Sequence, residues 1–130
     1  MKAAGRTINP DWVVPGELTA VGGYQAMNGV FESGSMPRAL FAFNDLMAMG
    51  AFRAVMERGL SIPEDISIIG YDDLEIAAYL MPALTTVRQP SFDLGLNAAE
   101  VLIDHLENKA AMPPVIQLTP ELVVRDSVKP

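Results

Sequence analysis

Residues Arg38–Asp73 read RALFAFNDLMAMGAFRAVMERGLSIPEDISIIGYDD, and the fold turns on this stretch. Ala39–Phe43 is a short apolar run ending in Asn44-Asp45. Ile66–Ile69 is a second apolar run, ending in Gly70-Tyr71-Asp72-Asp73. Between them Leu46, Met49, Phe52, Ala54, Val55 and Met56 recur at helical spacing, which predicts a helix with these as its buried stripe. Gly59 stops that helix, and Pro63 blocks a restart before the second run. Strand, helix and strand in this order form a βαβ unit with parallel strands. The expected class is therefore α/β, a parallel sheet with flanking helices. Both strands end on one edge of the sheet, where open α/β sheets bind their ligands.

Upstream, Met1–Gly5 reads as the last turn of a helix capped by Gly5, which implies further sequence before it. Trp12, Val13 and Val14 predict a first short strand, closed by Pro15-Gly16-Glu17. Thr19 can cap a helix carrying Tyr24, Met27, Val30 and Phe31 on one face. Gly22-Gly23 in its first turn allows close approach of a neighbour. Downstream, Leu74–Leu80 predicts a short helix broken at Pro82, and Leu84–Val87 is β-branched enough for a strand. Ser91 opens the longest helix, 91–107, with Leu94, Ala98, Val101, Leu102 and Leu106 as its buried stripe. Asn108–Pro114 reads as a loop. Val115–Leu118 and Leu122–Val124 are extended runs split by Thr119-Pro120, and Pro120 restricts them to an edge or crossing position.

Composition excludes several functions. The chain has 130 residues, half of them apolar, enough for one core. It has no cysteine and one histidine, so thiol chemistry and a histidine metal cluster are out. The missing cysteines fit a reducing compartment. No apolar run reaches the length of a membrane span, and nothing at the N-terminus reads as a secretion leader. With a net charge of -7 and no cluster of Lys and Arg, this chain alone is not expected to hold DNA.

Four strand ends carry polar groups: Glu17, Asn44-Asp45, Asp72-Asp73 and Arg88-Gln89. Parallel strands would bring them to one rim, where carboxylates and amides can pair with adjacent hydroxyls. Tyr71 or Phe92 could pack on the apolar face of such a ligand. Plainer readings stand beside these. Asn44 and Asp45 begin a helix, so capping explains one of them, and Asp73 reads as the cap of the Leu74 helix. Arg53, Glu57 and Arg58 read as a solvated face with ion pairs of small worth.

At these residues the chain resembles the effector-binding module of LacI-family transcriptional repressors. The matching phrases are Phe43-Asn44-Asp45-Leu46-Met47-Ala48-Met49-Gly50, Pro63–Asp73, Pro82–Pro90 and Pro120–Ser127, in the family's order over nearly the whole chain. The resemblance implies one lobe, mainly the C-terminal subdomain, of a periplasmic-binding-protein-like type I fold. It also implies that residues 91–107 belong to the other lobe in an intact member, whose DNA-binding head has no counterpart here. An effector, a sugar or related polar metabolite, would sit between the lobes, and lobe closure would be relayed to that head. By resemblance, Asn44 and Asp72 contact effector. Leu18 takes a position that is often aromatic in the family, and a leucine cannot stack on a sugar ring as Trp or Phe would. Gln89 falls where the chain crosses between lobes, and Glu17 on the same rim. Met47, Phe52, Tyr79, Leu80 and Met81 fall on the surface through which members dimerise. The helix at 91–107, short of its partner sheet, would leave an apolar stripe that favours association, so a homodimer or larger assembly is expected.

The implied protein is a cytoplasmic binding module with no chemistry, no cofactor, no metal and no membrane partner. It would touch DNA only through the absent N-terminal head. Two alternatives remain at this point. A transporter's periplasmic sugar-binding protein would share the fold, but the Asn-Asp-Leu-Met-Ala and Leu-Thr-Thr-Val-Arg-Gln-Pro phrases argue against it. Acidic pairs at parallel strand ends could instead hold Mg²⁺ for phosphoryl transfer. Such sites usually need a lysine beside the phosphoryl group, and none lies between Lys2 and Lys109.

Overall fold

The computed structural model describes residue 5 and residues 7–108 and 115–129. The expected helix end at Met1–Gly5, apart from Gly5 itself at φ 65°, and most of the expected loop at 108–114 lie outside the described residues. Three strands, β1 (Ala39–Phe41), β2 (Ser67–Asp72) and β3 (Thr85–Arg88), run parallel. A fourth, β4 (Glu121–Val123), pairs antiparallel with β3, and the sheet order is β1-β2-β3-β4. Pro120 thus precedes an edge strand, where its missing N–H costs no ladder bond.

Helix α1 (Ala20–Glu32) starts as its sequence requires. The Thr19 hydroxyl accepts from the Gly22 N–H at 3.0 Å. Helix α2 (Asp45–Glu57) is capped by Asn44, whose Oδ1 accepts from the Met47 N–H at 2.8 Å. Gly59, at φ 71°, ends it, with Leu60 N–H returning to the Val55 carbonyl. The two helices pack together, and α2 packs on β2. The core between them holds Met27, Val30, Ala48, Ala51, Phe52, Val55, Ile66, Ile68 and Leu84, with Tyr24 and Phe31 packed at its edge. Outside the core, α1 and α2 are tied by the Tyr24 hydroxyl donating to Glu57 at 2.6 Å and by the Arg58 guanidinium 4.1 Å above the Phe31 ring. The i,i+4 pair Arg53–Glu57, at 2.7 Å, is exposed and worth little on its own.

Several expectations are corrected. Trp12–Val14 is not a strand: Pro10–Trp12 form a 3₁₀ turn capped by Asn9. Val13 and Val14 face β1 across a cavity of about 920 Å³, without the hydrogen-bonding neighbour that makes an extended run a strand. The α2 stripe is rotated, with Leu46 and Met56 exposed and Met47, Ala48, Gly50, Ala51, Ala54 and Val55 buried. Apolar residues surround this helix, so their spacing alone could not select the inner face. Val115–Leu118 joins no ladder. The segment 75–79 is a 3₁₀ turn held by its buried Ala77.

The longest helix, α3 (Ser91–Asn108), forms where it was expected. Its stripe is not buried: Leu94, Ala98, Leu102 and Leu106 are exposed and only Val101 is half-buried. Amphipathic spacing reports a face that can be covered, and the described residues do not cover it.

The C-terminal segment after β4 stitches the sheet. The buried Ser127 hydroxyl donates to the Ile68 carbonyl at 2.6 Å and accepts from the Thr85 N–H at 2.8 Å. One side chain thus satisfies two backbone groups on neighbouring strands, where a bare polar group would cost about 1–3 kcal/mol.

Candidate functional site

Because β1, β2 and β3 are parallel neighbours, Asn44 and Gln89, beyond the C-terminal ends of β1 and β3, and Asp72, the last residue of β2, share one rim. Asn44 serves two structures. Besides capping α2, its Nδ2 donates to the Leu18 carbonyl at 3.4 Å, drawing the 16–18 loop against the rim. Glu17 and Leu18 are both exposed on that loop. Asp72 accepts from Gln89 Nε2 through Oδ1 at 2.6 Å.

Asp72 and Asp73 have φ of 113° and 54°, a positive-φ pair without a glycine. Each such residue costs about 1–3 kcal/mol unless its surroundings hold it. Here the clamp is visible. The Asp73 carboxylate lies between two guanidiniums, accepting from Arg88 Nε and from Arg125 Nη2, each at 2.6 Å. Burial opposes the Asp73 charge, but the hydrogen bonds from Arg125 and Arg88 win and hold its pKa below the ordinary value. The Asp73 bond correspondingly raises the pKa of Arg88. Asp73 is therefore not the cap expected for the following turn, which has no side-chain cap. Its arginine partners come from β3 and from beyond β4.

Asp45 is the inward member of the Asn-Asp pair and is fully buried. Its Oδ1 accepts from the Thr86 hydroxyl at 2.6 Å and its Oδ2 from the Leu74 N–H at 2.8 Å. Gly70 makes room, since a Cβ there would collide with Asp45 Oδ1 and sit 2.9 Å from Leu84 Cδ2. Burial raises the Asp45 pKa. The Thr86 and Leu74 hydrogen bonds oppose this, and the negative charges of Asp72 and Asp73 add to it. Asp45 is thus a structural carboxylate under the rim, while Asn44 and Asp72 are half-buried on it.

Of the five residues placed on a dimerising surface, Met47 and Phe52 are only 8% and 4% exposed and belong to the core. Phe52 still floors a shallow depression walled by Met49, Met56, Tyr79, Leu80 and Met81. Tyr79 and Met81 protrude from it, Met81 at 87% exposure. Two residues of the rim had no sequence-based role. Arg125 lies 52 residues from Asp73, and no local signal joins them. Phe43 read as strand interior, yet it is two-thirds exposed immediately before Asn44 and offers an aromatic face there. Among the described residues no three His, Cys, Asp or Glu side chains gather as metal ligands. No described helix is long and apolar enough to cross a membrane.

Comparison with known proteins places this geometry. The model of the periplasmic binding protein-like domain matches residues 1–128. The PurR repressor of Pasteurella multocida is 44% identical over 129 residues, which is 99% of this chain and 39% of that protein. The PurR repressor of Vibrio vulnificus is 42% identical over the same lengths. The chain thus spans about two fifths of these relatives. Among solved structures, the regulator CelR in complex with cellobiose superposes with a TM-score of 0.92 at 32% identity, over 97% of this chain and 38% of that one. A ribose-bound LacI-family regulator from Enterococcus faecium gives 0.80 at 37% identity, over 90% and 43%. A dimeric lac repressor gives 0.80 at 34% identity, over 87% and 41%.

Proposed function

We propose that this chain, which belongs to the periplasmic binding protein-like domain family in the form carried by LacI-family transcriptional regulators, senses a small polar effector for such a regulator. The observation that carries the reading is the shared rim, with Asn44 and Asp72 at the ends of adjacent parallel strands. In this reading Asn44 and Asp72 contact effector, with Glu17, Leu18 and Gln89 around them. A carboxylate beside two amides suits a ligand with several hydroxyl or amine groups, a sugar or a related metabolite. No aromatic stands at Leu18, so an apolar ligand face would rest on Phe43. Binding needs no bond chemistry: a ligand that prefers a closed form shifts the open–closed equilibrium by its difference in affinity. DNA contact belongs to a separate head, and α3 to the facing lobe. The setting is the cytoplasm.

The test is a thermal-shift screen of a full-length regulator carrying this chain, with monosaccharides, disaccharides and nucleobases. A ligand at a hundred times its Kd stabilises by about 2.7 kcal/mol. Asp72→Ala should abolish the shift, and an unchanged shift would remove Asp72 from the site.

The same reading makes the depression over Phe52 a dimer surface, with Tyr79, Leu80 and Met81 as its protruding part. Met81→Asp should weaken self-association at least about tenfold in sedimentation, the effect of about 1.4 kcal/mol. A parent chain that sediments as a compact monomer at high concentration would sink this part.

A further inference from the structure

We infer that Asp45, with Thr86 as its relay, is a positioning residue: its buried carboxylate fixes where Asp72 stands on the rim relative to Asn44. Backbone pairing between β1 and β2 stops short of both. Its last bond runs from the Ala42 N–H to the Ile69 carbonyl at 2.9 Å, and Asn44 and Asp72 lie beyond it. Asp45 spans that gap. A carboxylate can accept at both oxygens, and this one does. Its Oδ2 takes the Leu74 N–H directly, at 2.8 Å. Its Oδ1 takes the Thr86 hydroxyl at 2.6 Å, and the same hydroxyl oxygen accepts from the Asp73 N–H at 3.4 Å. The two N–H groups that follow Asp72 thus hang from the residue that follows Asn44, one directly and one through Thr86.

The turn needs such a hold. Asp72 and Asp73 both have positive φ, 113° and 54°, a geometry that persists only where its surroundings over-determine it. Arg88 and Arg125 hold the Asp73 side chain. Asp45 and Thr86 hold the backbone. The carboxylate itself has no slack. It is fully buried, it opens α2 directly behind the Asn44 cap, and its Oδ1 occupies the place that a Cβ on Gly70 would take. Every group in this frame belongs to the start of α2, to β2 and the turn after it, or to β3, so the frame is complete within the chain. Its value for effector binding rests on the reading of Asn44 and Asp72 as contacts; the frame itself does not.

The Gln89 side-chain amide donates to Asp72 Oδ1 at 2.6 Å, so its NMR signal reports where Asp72 stands. The sample is a ligand-free full-length regulator carrying this chain, with glutamine-selective ¹⁵N labelling and Gln89→Ala for assignment. In the parent the Gln89 amide pair should lie apart from those of solvated glutamines. Thr86→Val, which keeps the shape and removes the relay, should collapse the pair onto the solvated position. Thr86→Ser, which restores the hydroxyl, should bring it back. Asp45→Asn has an oxygen for only one of the two donors and should move the pair the same way, which covers a Thr86→Val that does not fold. Val30→Ala, at a buried position late in α1, is the control. It should lower Tm and leave the pair where it is, as a general loss of stability would. A pair unmoved in Thr86→Val or Asp45→Asn, moved equally by Thr86→Ser or Val30→Ala, or already at the solvated position in the parent overturns the inference. Because no effector is present, that outcome leaves the effector screen untouched, and a failed screen leaves the frame standing.

Discussion

Gly50→Ala should cost about 3 kcal/mol or more, the upper range for one overpacked methyl. By propensity alone the sign would be opposite, since alanine in mid-helix gains about 1 kcal/mol over glycine. The contact decides. A Cβ on Gly50 of α2 would lie 2.5 Å from the Tyr24 nitrogen of α1 and closer still to the Ala20 carbonyl oxygen. These are backbone atoms and cannot rotate away, so the helices would have to separate. Gly23→Ala attacks the same seam from the other side, 2.5 Å from the Met47 Cα, and should cost as much. Gly29 in α1 is the internal control. A Cβ there meets only Val14 Cγ1, at 4.0 Å, so Gly29→Ala should stabilise by about 0.5–1 kcal/mol. Urea unfolding of the three variants separates the two effects. If Gly50→Ala unfolds at the parent's midpoint, the two helices do not meet backbone to backbone. The seam matters for the rim because Asn44 caps, and Asp45 and Met47 sit in the first turn of, the helix it locates.

What could be read in the residues themselves was local. Thr19, Asn44 and Gly59 mark helix ends through bonds that span a few residues, and the helices begin and stop there. The common rim was also legible, because right-handed βαβ connections leave strand ends no other place. What escaped was settled by distant partners. Val13 and Val14 have the composition of a strand, but a strand exists only beside another. Asp73 has the form of a helix cap, and its cap role was displaced by arginines 15 and 52 residues away. Asp45 read as the structural member of its pair, as it is, but its buried partner Thr86, 41 residues on, could not be read from the sequence. In α3 the spacing alone suggested a covered stripe, since periodicity carries no information about a partner, whereas the resemblance had that stripe left without its partner sheet, and among the described residues it is exposed.

Asp45 and Asp73 should bend the pH dependence of stability in opposite directions about the ordinary aspartate value of 3.8, Asp73 contributing to the acid limb and Asp45 to the limb above it. Asp73 has its pKa lowered on folding. The unfolded state binds more protons on the way down in pH, so the stabilisation is complete above 3.8 and is lost as pH falls through the lower folded value. Asp45 has its pKa raised on folding, chiefly by burial. Its contribution is present below 3.8 and is lost as pH rises through the higher folded value, because the buried site resists the charge. Asp73→Asn should flatten the acid limb. It should also cost about 2–3 kcal/mol near neutrality, between the ~0–1 of an exposed pair and the ~3–5 of a buried one. Asp45→Asn should flatten the other limb. It leaves either Thr86 or Leu74 donating toward an amide N–H, a defect of about 1–3 kcal/mol. That defect should be largest near pH 4 and shrink as pH rises, because the parent alone pays for a buried charge. Urea midpoints measured from pH 3 to pH 8 for the parent and both variants read this directly. A defect in Asp45→Asn that grows with pH would mean that the Asp45 charge is welcome where it sits. The strained turn at Asp72 would then rest on an ionic network rather than on the arginine clamp and a carboxyl group held against its charge.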